Sequence, residues 1–270
     1  MNSDFRILGE LEALQDGDRI ELGSPRQRAV LARLLINPCE VVTTDRLVED
    51  LWRGDPPETA RHTLHVYVSR LRKALGRDGA RLERRGAGYR FAVEPEELDA
   101  SRFEQLATEG RAALARRDAD RAVAHLRDAL SMWRGAALTE FTGEAFAREE
   151  AVRLDELRLA TLEQRMWADL ELDRHGEVVE ELQDLIAQHP FRETFWEQLM
   201  LALYRSGRQA EALRVYQTAR ANLAGELGIE PGPALRGMEE RILAQDPSLY
   251  PASSARFVRP PDDLPLQRTS

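Results

Sequence analysis

The sequence predicts a mainly α chain with a small β component: a mixed N-terminal domain followed by an all-α domain. Three observations carry this. Strand signals occur only before about residue 95, three helical stretches lie among them, and from Asp99 onward apolar residues recur at helical spacing alone. At 270 residues the chain also exceeds a typical single domain of roughly 100–150 residues, which supports two domains.

The segment Phe5–Leu14 alternates loosely between apolar and polar residues. Gln15-Asp16-Gly17-Asp18 is a turn signal before Arg19–Leu22, so this region reads as a small antiparallel sheet. Ser24-Pro25 supplies an N-cap and a first-turn proline for a helix through Val30, Leu31, Leu34 and Leu35, ended by Asn37-Pro38. Thr44 is placed to cap a short second helix through Leu47, Val48, Leu51 and Trp52, broken by Gly54-Asp55-Pro56-Pro57. A third and longest helix begins near Pro57-Glu58 and runs to Leu75-Gly76, with Leu64, Val68, Leu71 and Leu75 on its core side. Arg81–Arg85 and Tyr89–Val93 then flank the glycine-containing tip Gly86-Ala87-Gly88 as a β-hairpin. A hairpin directly after the third helix is a wing. Residues 1–95 are therefore predicted to be a winged helix-turn-helix domain, bounded by Glu94-Pro95-Glu96-Glu97.

Residues 99–245 read as successive amphipathic helices at about 101–116, 119–134, 143–173, 177–188, 191–205, 208–225 and 232–244. Gly176–Leu182 echoes Gly207–Leu213 at a spacing of 31 residues, and Asp120-Arg121-Ala122-Val123 reads as a degenerate third copy. That spacing is near the 34-residue helix-pair repeat of tetratricopeptide proteins, whose stacked pairs share a core and leave a concave face for a partner. An irregular helical bundle is the other arrangement compatible with the pattern. Residues 246–270, with Pro247, Pro251, Pro260, Pro261 and Pro265, are expected to be a flexible tail or linker.

The net charge is −9, but its distribution is uneven. Residues 1–98 carry a net of −1, and residues 57–90 hold nine basic against three acidic side chains. A cationic patch thus sits on an acidic chain. Lys73 is the only lysine, so no phosphate-binding loop ending in Gly-Lys-Ser/Thr exists here and ATP hydrolysis is not expected. There is neither a Gly-x-Ser-x-Gly elbow nor a His-Glu-x-x-His helix, and carboxylates at helical spacing read as solvated faces. No enzymatic activity and no cofactor are expected. His62 and His65 lack a third ligand, so no metal is expected either. Cys39, the single cysteine, excludes an intrachain disulfide and reads as a packing residue. The chain has neither an apolar run of about 20 residues nor a signal-peptide pattern, so a membrane span is not expected and the cytoplasm is the expected compartment.

On the third helix, Thr59, His62, Val66, Ser69, Arg70, Lys73 and Arg77 lie opposite the core side, with Thr63 at the edge. A helix with this face fits a DNA major groove, where its side chains meet base edges. The candidate contacts are Trp52, Arg61, His62, Thr63, Val66, Tyr67, Arg70, Arg72, Lys73 and Arg85. Trp52 is expected to be half core and half surface, with its indole N–H free for a phosphate. Taken singly, Arg70, Arg72 and Lys73 more often mark a solvated face than a DNA contact. What favours DNA is the order of small sheet, three helices, basic third helix and arginine-bearing hairpin.

Leu71-Arg72-Lys73-Ala74-Leu75-Gly76 followed by Arg85-Gly86-Ala87-Gly88-Tyr89-Arg90-Phe91 resembles the end of the recognition helix and the wing of OmpR/PhoB-type winged-helix domains. Ile7-Leu8-Gly9, Leu22–Arg28, Asp50–Pro57 and the helical second domain extend the resemblance to the Streptomyces antibiotic regulatory protein (SARP) family, over about residues 4–245. Members of that family join the winged helix to a bacterial transcriptional activation domain. The resemblance implies activation of secondary-metabolite genes, binding to direct repeats near the promoter by two protomers side by side, and recruitment of RNA polymerase holoenzyme. It also implies that Arg70 takes a base- or phosphate-contacting position and Arg85 that of the wing arginine reaching the minor groove. Thr63, Val66 and Tyr67 then occupy neighbouring recognition positions. Met1 lies only a few residues before the first strand, so an N-terminal receiver domain, and with it aspartyl phosphorylation, is not expected here. Larger members carry an ATPase domain after a proline-rich connector, and Leu264–Ser270 resembles the approach to its first strand, which leaves two readings open: a fragment of a longer regulator, or a short family member with a disordered tail. The alternative from another class is a helical-repeat signalling adaptor that binds protein.

Overall fold

A computed structural model of the chain describes residues 3–250 and divides into two compact units, one reaching to Gln164 and the other beginning at Arg165. The first unit opens with an antiparallel sheet of β1 (Ser3–Arg6), β2 (Glu12–Gln15) and β3 (Asp18–Arg19). The sequence pattern ran β1 and β2 together. The break falls at Gly9, whose φ of +147° suits a residue without a side chain, and the chain reverses there so that Phe5 pairs with Ala13.

Helix α1 (Pro25–Ile36) starts on a capping box in which the Ser24 hydroxyl accepts the Gln27 N–H and the Gln27 side chain accepts the Ser24 N–H. Helix α2 (Thr44–Trp52) is capped by Thr43 rather than Thr44: Thr43 has the extended backbone of a cap, and its hydroxyl accepts the Arg46 N–H. Helix α3 (Ala60–Ala74) begins later than Pro57, because residues 57–59 form a turn closed by the Ala60 N–H on the Pro57 carbonyl. Its apolar residues Leu64, Val68 and Leu71, with Leu75 just beyond, are buried as the helical period requires.

Strands β4 (Val42–Thr43), β5 (Leu82–Arg85) and β6 (Gly88–Phe91) form a second antiparallel sheet in the order β4-β6-β5, and β5–β6 is the wing hairpin. Gly88 lies opposite Thr43, where an added Cβ would sit 2.2 Å from the Val42 carbonyl oxygen. Gly88→Ala is expected to force β4 and β6 apart and to cost about 1–3 kcal/mol, read as a lower denaturation midpoint. An unchanged midpoint would contradict this packing.

The core of this unit continues past the expected boundary at residues 95–99. From Phe5 and Phe91, in edge-to-face contact at 5.1 Å, it runs through Leu98, Phe103, Trp133 and Phe141 to Leu154. These later residues come from α4 (Asp99–Ala115), the segment after α5 (Ala119–Ser131), and the first part of α6 (Ala145–Glu171). The Glu94–Glu97 break therefore marks a change of secondary structure within continuous packing. Cys39 is not the packed residue expected: it is exposed, in a left-handed turn with φ of 64°.

The second unit holds the rest of α6, then α7 (His175–Gln188), α8 (Glu193–Arg205), α9 (Gln209–Asn222) and α10 (Pro233–Leu243). All the helices expected after residue 99 form, with ends displaced by a few residues. The repeat register is corrected from 31 to 34 residues, since Arg174 and Arg208 hold the N-cap positions of α7 and α9. In this register buried Val178, Leu182 and Leu185 match Ala212, Tyr216 and Ala219, and the left-handed Asp173 matches Gly207. Helix α5 follows the same rule, with Arg117 left-handed, Asp118 at the cap and Ala122, Leu126 and Ala129 buried. Each turn closes alike: the cap N–H reaches five residues back, from Asp118 to Ala113, Arg174 to Asp169 and Arg208 to Leu203. Of the expected flexible tail, Pro247–Leu249 instead forms a 3-10 turn with Leu249 buried, and residues 251–270 lie outside those described.

Candidate nucleic-acid interface

The α3 face opposite the core carries His62, Ser69, Arg70 and Lys73 fully at the surface, with Thr63, Val66 and Tyr67 partly covered. Among the described residues no ion pair or hydrogen bond engages the side chains of Arg70 or Lys73. Both are therefore uncommitted cations on a rigid helix. Arg61 lies 2.5 Å from Asp45, but with side-chain exposures of 69% and 73% that pair is weak and easily exchanged for another anion. Arg72 has a different role. Its Nε donates to the Leu82 carbonyl at 2.8 Å and ties the end of α3 to the first wing strand.

Trp52 is only 9% exposed, so it belongs to the core more than the half-and-half placement expected. Its ring stacks on Tyr67 at 6.4 Å with an interplanar angle of 14°, and the Arg26 guanidinium lies 5.0 Å from its centroid. This stack fixes the rim between α1, α2 and α3 and makes Arg26 an additional candidate that sequence spacing did not reveal, since the contact bridges two helices.

On the wing, Arg85 is exposed and its guanidinium lies 2.7 Å from Glu83, which also faces Arg90 at 3.3 Å. Gly86 at the tip has φ of +54°, and the Thr44 N–H donates to the Ala87 carbonyl at 2.9 Å, which fastens the turn to the start of α2. Arg84 is exposed and without an ion pair among the described residues, a second candidate overlooked in the sequence although it adjoins Arg85. Elsewhere the cationic patch is neutralised. Arg77 meets Asp16, and Arg81 meets Asp78 and Glu97, where the guanidinium holds the Glu97 carboxyl below the usual range. Positive potential is thus concentrated at Arg70, Arg72, Lys73 and Arg84, with Arg61 and Arg85 available by exchange.

Residues 17–91 match the model described as "Transcriptional regulatory protein, C terminal", and residues 98–243 match the "Bacterial transcriptional activator domain". The chain is also 37% identical over 254 residues to the regulatory protein DnrI of Streptomyces peucetius, covering 91% of this chain and 93% of DnrI. The chain belongs to the SARP family of transcriptional regulators. Among other SARP-type relatives, the regulatory protein AfsR of Streptomyces coelicolor is 43% identical over 252 residues, which are 93% of this chain and 25% of AfsR. The chain therefore spans about a quarter of the length of that relative. The solved structure of Mycobacterium tuberculosis EmbR, in complex with a low-affinity phosphopeptide, superposes with a TM-score of 0.88 at 39% identity over 91% of this chain and 66% of that one. The winged-helix and helical architecture of this SARP chain is thus shared with a solved relative. Among the described residues no helix is long and apolar enough to cross a membrane.

Proposed function

We propose that this SARP-family chain is a sequence-specific activator in which residues 1–95 read double-stranded DNA and residues 99–245 contact the transcription machinery. The observation that carries the reading is the pair of uncommitted cations Arg70 and Lys73 on the exposed face of α3, beside an arginine-bearing wing. With α3 in the major groove, the planar Arg70 fork suits bidentate contact with guanine or phosphate. Thr63 and Val66 suit thymine methyl groups, and His62 a base edge or phosphate. Lys73 and Arg61 neutralise phosphates, and Tyr67 and Trp52, with Arg26, form the rim. Arg72 positions the wing, whose Arg84 and Arg85 face the minor groove and its flanking phosphates. The family supports the finer reading: direct repeats near promoters of secondary-metabolite genes, occupied by two protomers side by side, with recruitment of RNA polymerase holoenzyme at the nucleoid in the cytoplasm.

A footprint of the purified chain on genomic DNA tests this, with a protected tandem site expected and sequence-independent binding that protects no discrete site contradicting it. Two substitutions probe the wing. Arg85→Ala is expected to weaken binding more on A·T-rich than on G·C-rich flanks, because a narrow minor groove concentrates negative potential. Equal losses on both would restrict Arg85 to phosphate. Glu83→Gln is expected to strengthen binding a few-fold, because it frees Arg85 and removes a negative charge from the phosphate-facing edge. Weaker binding by the folded variant would show that Glu83 orients Arg85 productively.

A further inference from the structure

Helical spacing puts Arg61, His65 and Arg72 on one flank of α3. Two contacts show that this flank faces the wing. The exposed His65 imidazole meets the Tyr89 ring of β6 edge-on, with centroids 6.1 Å apart and an interplanar angle of 73°, and Arg72 Nε donates to the Leu82 carbonyl of β5. In the hairpin register Arg84 lies directly across from Tyr89. Side chains alternate along a strand, so both project on the side of the hairpin that carries buried Leu82 and Phe91, while Glu83, Arg85 and Arg90 project on the other. Burial pushes the Tyr89 hydroxyl up, opposed by the neighbouring guanidiniums of Arg84 and Arg72. Both cations therefore lie close to the ring that His65 touches.

The notch between α3 and the wing is thus lined by donors. Among the described residues no hydrogen bond or ion pair engages His65, Arg84 or the Tyr89 hydroxyl, and Arg72 uses only its Nε. The carboxylates on the surrounding elements are committed elsewhere: Asp45 of α2 to Arg61, and Glu83 of β5 to Arg85 and Arg90 on the far side of the hairpin. Such a set suits the two free oxygens of a phosphate diester. Histidine is the member of the set whose charge changes near neutral pH. Neutral imidazole offers one donor and one lone pair, whereas the protonated ring offers two donors and a positive charge. A phosphate seated here favours the protonated ring, and by reciprocity protonation strengthens the hold on the phosphate.

We propose that the notch between α3 and the wing holds a backbone phosphate of the bound duplex and that His65 is its proton-dependent ligand, so that affinity for DNA rises as pH falls through the histidine range. This inference rests on the DNA-binding reading and adds a regulation to it. Because a phosphate carries no base identity, the effect is expected on specific and scrambled duplexes alike. The test measures Kd of the full chain for the footprinted duplex and a scrambled one at constant ionic strength. Binding is expected to be about tenfold tighter near pH 6 than near pH 8.5, the factor produced when binding strengthens one protonation tenfold. His65→Gln keeps a donor but does not titrate, and is expected to reduce that change to less than about twofold while binding like the native chain near pH 8.5. His62→Gln is expected to keep the pH dependence, whatever its own effect on affinity. Calorimetry on the native chain gives a check without substitution. Binding near pH 7 is expected to take up protons, seen as a heat that varies with the ionisation heat of the buffer. A pH-independent affinity, no proton uptake, a dependence confined to the specific duplex, or one that survives in the folded His65→Gln chain would overturn this inference and leave the DNA reading standing. Absence of DNA binding at both pH values would overturn both.

Discussion

Arg70→Ala is expected to weaken binding to the best footprinted site by about 1–3 kcal/mol, roughly five- to 150-fold, with thermal unfolding unchanged. The separation of the two effects follows from geometry. Arg70 is exposed and unpaired, while the neighbouring Leu71 is fully buried, so the substitution removes a reaching cation without disturbing the contacts that hold α3. Lys73→Ala, one turn along, is expected to act differently, with a similar loss on all sequences and a shallower salt dependence by about one counterion. Unchanged affinity of a folded Arg70→Ala chain for its best site would remove Arg70 from the readout set. Arg72→Ala, in contrast, is expected to loosen the wing as well as remove a charge, because its Nε holds the Leu82 carbonyl.

Asp99→Ala is expected to destabilise the first unit by about 2–5 kcal/mol, since its carboxylate is the acceptor for two buried backbone donors and each left unpaired costs about 1–3 kcal/mol. The Ile7 and Leu8 N–H groups donate to Asp99 at 2.8 and 3.0 Å, and Arg134 lies 3.5 Å away. Burial pushes the Asp99 carboxyl up, opposed by these backbone hydrogen bonds and by Arg134. Because the folded value lies above the unfolded one, the folded state binds this proton more readily, and the contribution of Asp99 to stability declines as pH rises through that window. Glu97 has the opposite sign: held down by Arg81, it contributes stability that is lost as pH falls through its lowered folded value. Asp99→Asn keeps one acceptor and is expected to fall between wild type and alanine, without the Asp99 part of the pH dependence. Chemical denaturation followed by circular dichroism measures both, and an Asp99→Ala chain as stable as wild type would contradict the buried-acceptor role. The same continuity means that a fragment ending near Pro95 would uncover Phe5 and Phe91, so DNA-binding tests belong on the intact chain.

The helices were legible because each carries local punctuation: Ser24-Pro25 at the start of α1, Asn37-Pro38 at its end, and apolar residues of α3 at strict 3.6-residue spacing. What local pattern could not reveal was set by distant contacts. The division of the first sheet at Gly9 depends on pairing with β2, the burial of Trp52 on Tyr67 and Arg26, and the anchoring of Arg72 on the wing backbone. The helical repeat was visible but misregistered by three residues, because Gly176 lies inside α7 whereas Gly207 lies in the turn before α9. The residue equivalent to Gly207 is Asp173, which takes the same left-handed conformation without being glycine. For the interface, residue type and helical phase identified Arg70 and Lys73, but only the positions of carboxylates across the fold separate them from Arg77 and Arg81, which are paired.

The central claim, that the exposed face of α3 enters the DNA, is tested most directly by photocrosslinking from a benzophenone amino acid at Ser69, next to Arg70 and exposed on that face. On the footprinted promoter duplex, this position is expected to crosslink to a base within the protected site, while the same probe at exposed Glu180 in α7 is expected to give no base crosslink. Efficient crosslinking from Glu180 with none from Ser69, under conditions where the chain occupies its site, would contradict it.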